Sequence, residues 1–207
     1  MNPTTPIPIT GMGAISAIGD TVAAHFRSLQ ETRHGIAPIT RLETAYRGTL
    51  LAGEIPISNE ELYDRLAILR HEAYTRSTLL ALIAAREAIE SAKLDLQDGW
   101  RTGIVSATTV GGMDATEQHY NDYLVSDAHL HFIPTHPCGY STEQLGKYLG
   151  VTGTLTTIST ACSSSANAIM LGARLIRAGI LDRVIAGGTD CLSQFTVNGF
   201  HALMIYS

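Results

Sequence analysis

One cysteine lies where a predicted strand and a predicted helix meet. Residues 154–160 are rich in β-branched side chains, which favours a buried strand. Residues 163–178 carry apolar side chains at helical spacing, among them Ile169 and Ile176. Cys162 therefore falls on a sharp strand-to-helix turn, where unpaired backbone N–H groups and the helix dipole favour the thiolate. Because the same donors can hold the oxyanion of an attacked thioester, this geometry suits acyl transfer onto cysteine.

The residues that follow Cys162 favour this chemistry over a purely structural role. Cysteine is among the most frequently buried residue types, and spacing alone leaves a structural role open. Residues 163–165 are three serines, which leave room above the sulfur and can cap the helix. We expect Cys162 to be the reactive thiol, rather than Cys138 or Cys191, because it alone combines a turn with a predicted helix start.

The sequence around this cysteine resembles the nucleophile region of the β-ketoacyl-acyl carrier protein (ACP) synthases, the elongating condensing enzymes of fatty acid and polyketide synthesis. Residues 160–165 are Thr-Ala-Cys-Ser-Ser-Ser, residues 185–190 are Ile-Ala-Gly-Gly-Thr-Asp and residues 198–200 are Asn-Gly-Phe. Residues 9–16 are similar to the start of the same family, and the likeness extends from residue 7 to about residue 206. The resemblance implies a thiolase-like α/β fold, layered α/β/α with a mixed, mostly parallel sheet, and residues 1–207 as its N-terminal domain.

The resemblance also implies roles for three residues beyond the cysteine. Val110 matches the position of a small gating residue in the family's acyl-chain pocket. Phe132 and its neighbours match a loop that meets the partner subunit and closes that pocket, and Phe200 matches a residue that lines it. For Val110 and Phe200, ordinary packing of a strand-end valine and a core aromatic is the alternative.

In the family, the cysteine takes an acyl chain from acyl-ACP and then serves in a decarboxylative Claisen condensation with malonyl-ACP. Two histidines from the second half of the family's sequence assist decarboxylation, and none of the eight histidines here lies in a matching context. The second oxyanion donor also comes from that half. We therefore expect a truncated product, an expressed fragment or one piece of a split enzyme, in which Cys162 accepts an acyl group but does not complete the condensation.

Two other functions are compatible with the same family. A non-catalytic chain-length partner subunit would resemble it, but such partners have usually lost the cysteine, and Cys162 is retained. The second alternative is an initiating synthase or a thiolase. The motifs at residues 160–165 and 198–200 favour an elongating synthase instead. The implied partners are ACP and a second subunit, in a homodimer or a heterodimer, with residues 154–160 pairing antiparallel to their copy across a twofold axis.

Composition excludes several further classes of protein. The 207 residues allow one substantial domain, and 45% hydrophobic with 16% charged residues is typical of a well-buried core. A net charge of -5 without a basic block indicates neither nucleic acid nor an anionic membrane as a partner. Three cysteines are an odd count without the spacing of a disulfide framework, which favours a reduced, cytoplasmic setting. The N-terminus does not have the pattern of a signal peptide, and no apolar run has the length of a membrane span.

Hydrophobic periodicity and cap residues predict the elements that position these residues. Further strands are predicted at residues 7–12, 102–108 and 183–188. Helices are predicted at residues 21–29 with Asp20 as the cap, from Asn59 onward with a Ser58–Glu61 capping box, and at residues 74–92 and 140–149. The alternation of strands and helices indicates a parallel sheet covered by helices.

Neither a cofactor nor a metal ion is expected. Residues 11–16 begin as a dinucleotide fingerprint, but Ser16 replaces its third glycine and no acidic strand end follows at the usual distance. His129, His131, His136 and Cys138 are close in sequence, yet their spacing matches no common zinc site. For the glycines in residues 11–16, a tight turn after a strand is a better explanation than a dinucleotide site.

Overall fold

The structure is a computed structural model that describes residues 6–206, in which helices alternate with short strands. The helices are α1 Val22–Gln30, α2 Asn59–Leu66, α3 Arg76–Ala92, α4 Met113–Tyr123, α5 Cys138–Leu149, α6 Ser164–Arg177 and α7 Gln194–Ala202. The strands are β1 Ala37–Pro38, β2 Leu51–Ala52, β3 Thr102–Ala107, β4 Leu155–Ile158 and β5 Arg183–Gly188, and a 3-10 helix spans Leu130–Thr135. In the part of the chain that the structure describes, no helix is both long and apolar enough to cross a membrane.

A parallel three-stranded sheet forms the centre of the fold. β3 lies between β4 and β5, and both neighbours run parallel to it. Ala107 is in register with Ile158 on one side and with Gly188 on the other, so the carboxyl ends of all three strands meet at one edge. Side chains that follow those strand ends are therefore brought together there, which is where open α/β sheets usually build their sites.

Helices cover both faces of this sheet. Ile104 belongs to a core with residues of α2, α3 and α5, such as Leu79 and Leu145. Its neighbour Val105 belongs to a second core with Ala168 of α6. Successive residues of a strand point to opposite faces, so the two cores lie on opposite sides of β3. The predicted α/β/α layering is confirmed.

Several predicted elements appear with the expected bounds. β5 spans the predicted residues 183–188, and α6 covers most of the predicted range after Cys162. α2 begins at Asn59, where the Ser58 hydroxyl accepts a hydrogen bond from the N–H of Glu61. This bond is half of the predicted capping box, and it satisfies one of the unpaired donors at the helix start.

The strand predicted at residues 7–12 is wrong: this extended segment joins neither described sheet. It lies against α3, where Gly11 and Gly13 approach the helix backbone. A Cβ atom added at these glycines would overlap the carbonyl oxygens of Ala88 and Ala84 respectively. The glycines therefore serve close packing of chain against helix, which sequence periodicity does not distinguish from a strand.

Glu87 of α3 holds this segment and the start of α1 in place. Its carboxylate accepts hydrogen bonds from the N–H groups of Ala14, at 2.9 Å, and Val22, at 2.8 Å. One partly buried carboxylate thus satisfies two backbone donors, one of them at a helix N-terminus where negative charge is stabilising.

The predicted cap of α1 is also wrong, by one residue. Thr21 caps the helix by accepting a hydrogen bond from the N–H of Ala24 at 3.1 Å, whereas Asp20 pairs with Arg65 at 2.9 Å. We expect Thr21→Ala to lower the free energy of unfolding by about 1 kcal/mol, as loss of an N-cap does. Asp20→Ala should cost about 0.5 kcal/mol or less, because that ion pair is exposed. Urea unfolding of the two variants checks this, and an equal or larger loss for Asp20→Ala would contradict it.

Candidate active site

Cys162 lies on the turn between β4 and α6, as the sequence predicts. β4 ends at Ile158 and α6 begins at Ser164, so the sulfur is attached at the N-terminal end of the helix. Ala161, just before it, has a left-handed backbone with φ +55. A residue with a Cβ adopts that conformation only where the surroundings enforce it, as at the sharp turns that present nucleophiles. Cys162 is exposed, so its thiol is open to a substrate.

Serine side chains brace the turn from inside. The Ser164 hydroxyl accepts a hydrogen bond from the N–H of Thr160 at 2.8 Å and donates one to the carbonyl of Ala161 at 2.6 Å. The Ser163 hydroxyl donates to the carbonyl of Thr160 at 2.8 Å. Contrary to the expected capping role, Ser163 makes no side-chain cap to the helix. The serines instead fix the strained backbone that carries Cys162.

Asn167 adds a second brace that the sequence analysis missed. Its side-chain amide donates to the Thr160 hydroxyl at 2.8 Å and to the Ser163 hydroxyl at 3.2 Å. The spacing of Ser163 and Asn167, four residues apart on one helical face, was the available signal. The amide ties the last residues before the cysteine to the second turn of α6.

Gly188 supports the same turn from the end of β5. A Cβ atom added at Gly188 would overlap the Ser165 hydroxyl and would lie 3.0 Å from both the carbonyl oxygen and the Cβ of Ala107. Gly187, by contrast, faces open space. The first turn of α6 therefore rests against a strand position that only glycine fits.

Asp190 organises the loop that follows β3, beside the cysteine turn. Its carboxylate accepts hydrogen bonds from the Thr108 hydroxyl at 2.6 Å and from the N–H of Thr109 at 2.8 Å. The Thr109 hydroxyl and the N–H of Val110 also donate to it. The carboxyl ends of β3 and β5 are thereby tied together, and Val110 is held at the same sheet edge that Cys162 follows.

The loop around Phe132 is joined to the turn after Val110. Gly112 packs against Thr135 so closely that an added Cβ would overlap its carbonyl oxygen, and the N–H of Gly112 donates to the carbonyl of His136. Phe132 lies in the 3-10 helix that ends at Thr135, and its ring stacks on His119. The structure thus brings the segments of Val110 and Phe132 together.

Phe200 lies on α7 and is 49% exposed. The N-terminus of that helix is held from α4, since the Glu117 carboxylate accepts hydrogen bonds from the N–H groups of Gln194 and Phe195. No interaction described for residues 6–206 links the Phe200 ring to Cys162.

The other two cysteines differ from Cys162 in exposure. Cys191 is buried, and its sulfur accepts a hydrogen bond from the Ser77 hydroxyl at 3.2 Å. Burial raises the pKa of this thiol to about 12. Cys138 is the first residue of α5, so Cys162 is not the only cysteine at a helix N-terminus. That part of the reasoning for Cys162 was wrong. Cys138 is half-buried, however, and exposure separates it from Cys162.

We expect iodoacetamide to label Cys162 first, Cys138 more slowly and Cys191 not at all in the folded protein. Thiolate is the attacking species, and a pKa of about 12 keeps Cys191 as the neutral thiol at pH 8. Peptide mapping after brief alkylation at pH 8 gives the order. Labelling of Cys138 or Cys191 ahead of Cys162 would contradict this assignment, and a denatured sample, in which all three react, is the control.

Comparison with known proteins identifies the family. A model of the family described as "Beta-ketoacyl synthase, N-terminal domain" matches residues 4–207. The 3-oxoacyl-(acyl-carrier-protein) synthase 2 of Staphylococcus aureus strain N315 is 30% identical over 203 residues, which is 95% of this chain and 48% of the relative. The protein of the same name from Synechocystis is 28% identical, over 94% of this chain and 48% of the relative. The chain thus spans about half the length of the curated relatives it matches.

Solved structures agree with this assignment. The ishigamide ketosynthase/chain length factor superposes with a TM-score of 0.81 at 27% identity, over 94% of this chain and 50% of that one. The ketosynthase ApeO with its chain length factor ApeC from Xenorhabdus doucetiae gives a TM-score of 0.79 at 28% identity, covering 94% and 49%. These matches confirm the predicted thiolase-like fold. The chain belongs to the β-ketoacyl synthase family, whose N-terminal domain it matches over residues 4–207.

Proposed function

We propose that this chain carries the acyl-accepting nucleophile of a β-ketoacyl-ACP synthase, and that residues 1–207 form one N-terminal domain of it. The Cys162 thiolate attacks the thioester carbonyl of acyl-ACP, and the carrier's thiolate leaves, so that a new thioester forms on Cys162. The observation that carries the proposal is the exposed Cys162 on a braced, left-handed turn at the start of α6. First-turn N–H groups of a helix are suited to the oxyanion of that attack.

The second step of the proposed reaction frees the cysteine. Malonyl-ACP loses CO2, and the resulting carbanion attacks the acyl carbonyl, so that the Cys162 thiolate departs and β-ketoacyl-ACP forms. The family resemblance assigns decarboxylation to histidines of the second half, and none of the histidines here was matched to them. We therefore assign the acyl-transfer step, and not decarboxylation, to the residues of this chain.

Val110, Phe132 and Phe200 are proposed to line the acyl-chain pocket. The ties from Asp190 to the Val110 turn and from Gly112 to Thr135 support the first two, because they place both segments at the carboxyl edge of the sheet. Phe200 rests on the resemblance and on its exposed position on α7. We propose a cytoplasmic setting, which the three free cysteines support.

A chain-length partner subunit is the second candidate, since two of the matching structures are of a ketosynthase with a chain length factor. The synthase and the chain-length partner would both work with ACP, but only the synthase needs a cysteine that accepts an acyl group. Incubating the purified chain with acyl-ACP and recording its intact mass separates them. One added acyl group supports the synthase, and an unchanged mass at long incubation supports the partner subunit.

Adding malonyl-ACP to the acylated chain tests the assignment of steps. We expect no β-ketoacyl product, because the resemblance assigns decarboxylation to histidines of the family's second half, and no histidine here matches them. Condensation at an enzyme-like rate would overturn that assignment and would show that histidines of this chain, such as His136 or His201, perform it. Protein heated until unfolded is the control for uncatalysed decarboxylation.

We further propose that the protein pairs through β4, as a homodimer or with a related subunit. In the described sheet β4 lies at an edge, so one row of its backbone groups has no partner strand. Antiparallel pairing of two β4 strands about a twofold axis would continue the sheet through both subunits. Sedimentation at micromolar concentration should show a dimer that Thr157→Pro weakens, because residues 154, 156 and 158 pair with β3, the N–H of Thr157 faces the free edge, and proline removes that donor. A monomer at that concentration would contradict this proposal.

A further inference from the structure

Two histidines and an aspartate meet where α4 ends and the following loop returns to it. The Nδ1 atom of His129 lies 2.8 Å from Oδ2 of Asp122, and Nδ1 of His119 lies 3.4 Å from the same oxygen. Their three ligand atoms all lie within 4.8 Å of one another. Imidazole nitrogen with carboxylate oxygen is a donor set that binds zinc.

We propose that His119, Asp122 and His129 bind a zinc ion, with water in the fourth position. Ligands about 2.0–2.1 Å from a tetrahedral zinc ion lie about 3.3 Å from each other. The two measured distances to Asp122, 2.8 and 3.4 Å, fall on either side of that value. All three ligand atoms lie within 4.8 Å of one another, and rotation of the His129 ring, whose side chain is 39% exposed, can bring them closer.

The surroundings of the cluster hold one ligand firmly and leave an entrance for the ion. His119 is buried, and its ring stacks on the ring of His129, with centroids 4.1 Å apart, and on that of Phe132, at 4.9 Å. Asp122 and His129 are half-exposed, which gives the ion access from solvent.

Zinc binding would fix a segment that the proposed pocket uses. His119 and Asp122 belong to α4, and His129 directly precedes the 3-10 helix that carries Phe132. An ion bound by all three would join that helix to the loop across residues 123–128. Of the histidines and Cys138 considered from sequence, this site includes only His129. The proposal does not depend on whether Cys162 is acylated.

Calorimetric titration of the EDTA-treated, dialysed protein with zinc chloride tests the proposal. We expect one ion per chain, bound at least about 100-fold more weakly by His129→Ala and by Asp122→Asn, since even outer-shell changes cost 10–100-fold. His131→Ala is the matched control: its ring adjoins both His129 and Phe132 but supplies no ligand atom, so its affinity should be unchanged.

Cobalt(II) substitution distinguishes this site from zinc held by cysteine. Nitrogen and oxygen ligands should give visible d–d bands without the strong near-ultraviolet charge-transfer band of a cobalt–thiolate bond. Circular dichroism confirms that each variant is folded, and Asp122→Asn keeps the shape of the side chain. The proposal is overturned if zinc does not saturate one site, if both ligand variants bind normally, or if His131→Ala loses as much affinity. Asp122 would then simply accept hydrogen bonds from two imidazoles.

Discussion

Replacing Cys162 with alanine is expected to reduce acylation of the chain by acyl-ACP to background, a loss of more than about 1,000-fold. Without the sulfur the braced turn has no nucleophile to offer, because the nearby serine hydroxyls are engaged in holding the backbone. Cys162→Ser should recover little, since an unactivated hydroxyl is a far weaker nucleophile than a thiolate. The rate of mass gain after mixing with acyl-ACP measures the effect.

Cys138→Ala is the matched control for that experiment. Cys138 also begins a helix, so a helix N-terminus alone would predict that it too accepts acyl groups. We expect the variant to be acylated at the rate of the unaltered protein. An equal loss in Cys138→Ala and Cys162→Ala would mean that the geometry of the cysteine turn does not determine which thiol reacts.

Gly188→Ala is expected to slow acylation about 100-fold. Its Cβ would overlap the Ser165 hydroxyl and press on the backbone of Ala107, so the first turn of α6 must move. A displacement near 1 Å at a reacting group costs about that factor. Overpacking should also lower the free energy of unfolding by about 1–3 kcal/mol.

Gly187→Ala provides a closely matched control, one residue away on the same strand. A Cβ atom there meets nothing within 4 Å, so both stability and acylation rate should be nearly unchanged. Rates from mass spectrometry and urea unfolding of the two variants check the contrast. If Gly188→Ala acylates normally, or if Gly187→Ala is equally impaired, the support of the cysteine turn by β5 is contradicted.

The parts of the fold predicted correctly are those that local chemistry determines. Ser58 and Glu61 specify a helix start through hydrogen bonds that span three residues. The bounds of β5 are marked by Asp182 before it and by the two glycines at its end. The turn at Cys162 is marked by the change from a β-branched run to apolar residues at helical spacing. These features depend on neighbours in the sequence, which is why the sequence alone suffices for them.

The errors arise where distant residues decide between local alternatives. Asp20 and Thr21 can each cap α1, and an ion pair with Arg65, 45 residues away, leaves Thr21 to do so. Residues 7–12 have the composition of a strand but pack on α3. Periodicity describes which side chains are buried, and it does not reveal whether a sheet or a helix buries them.

The candidate site was predictable only in part for the same reason. Cys162 is marked by its motif, but the hydrogen bonds from the residues after β3 to Asp190 become visible only when the strand ends are brought together. The His119, Asp122 and His129 cluster joins a helix to a loop that folds back on it. Spacings of three and seven residues match no common metal motif, and the sequence analysis accordingly expected no metal ion.

Locating the acyl group after reaction with acyl-ACP tests the central claim most directly. The chain is incubated with acyl-ACP, digested at low pH to preserve thioesters, and analysed by tandem mass spectrometry. The account predicts one acyl group, removable by neutral hydroxylamine, on the peptide that contains Cys162. An acyl group on Cys138, or its absence from all three cysteines in folded protein, would contradict the assignment of Cys162 as the nucleophile.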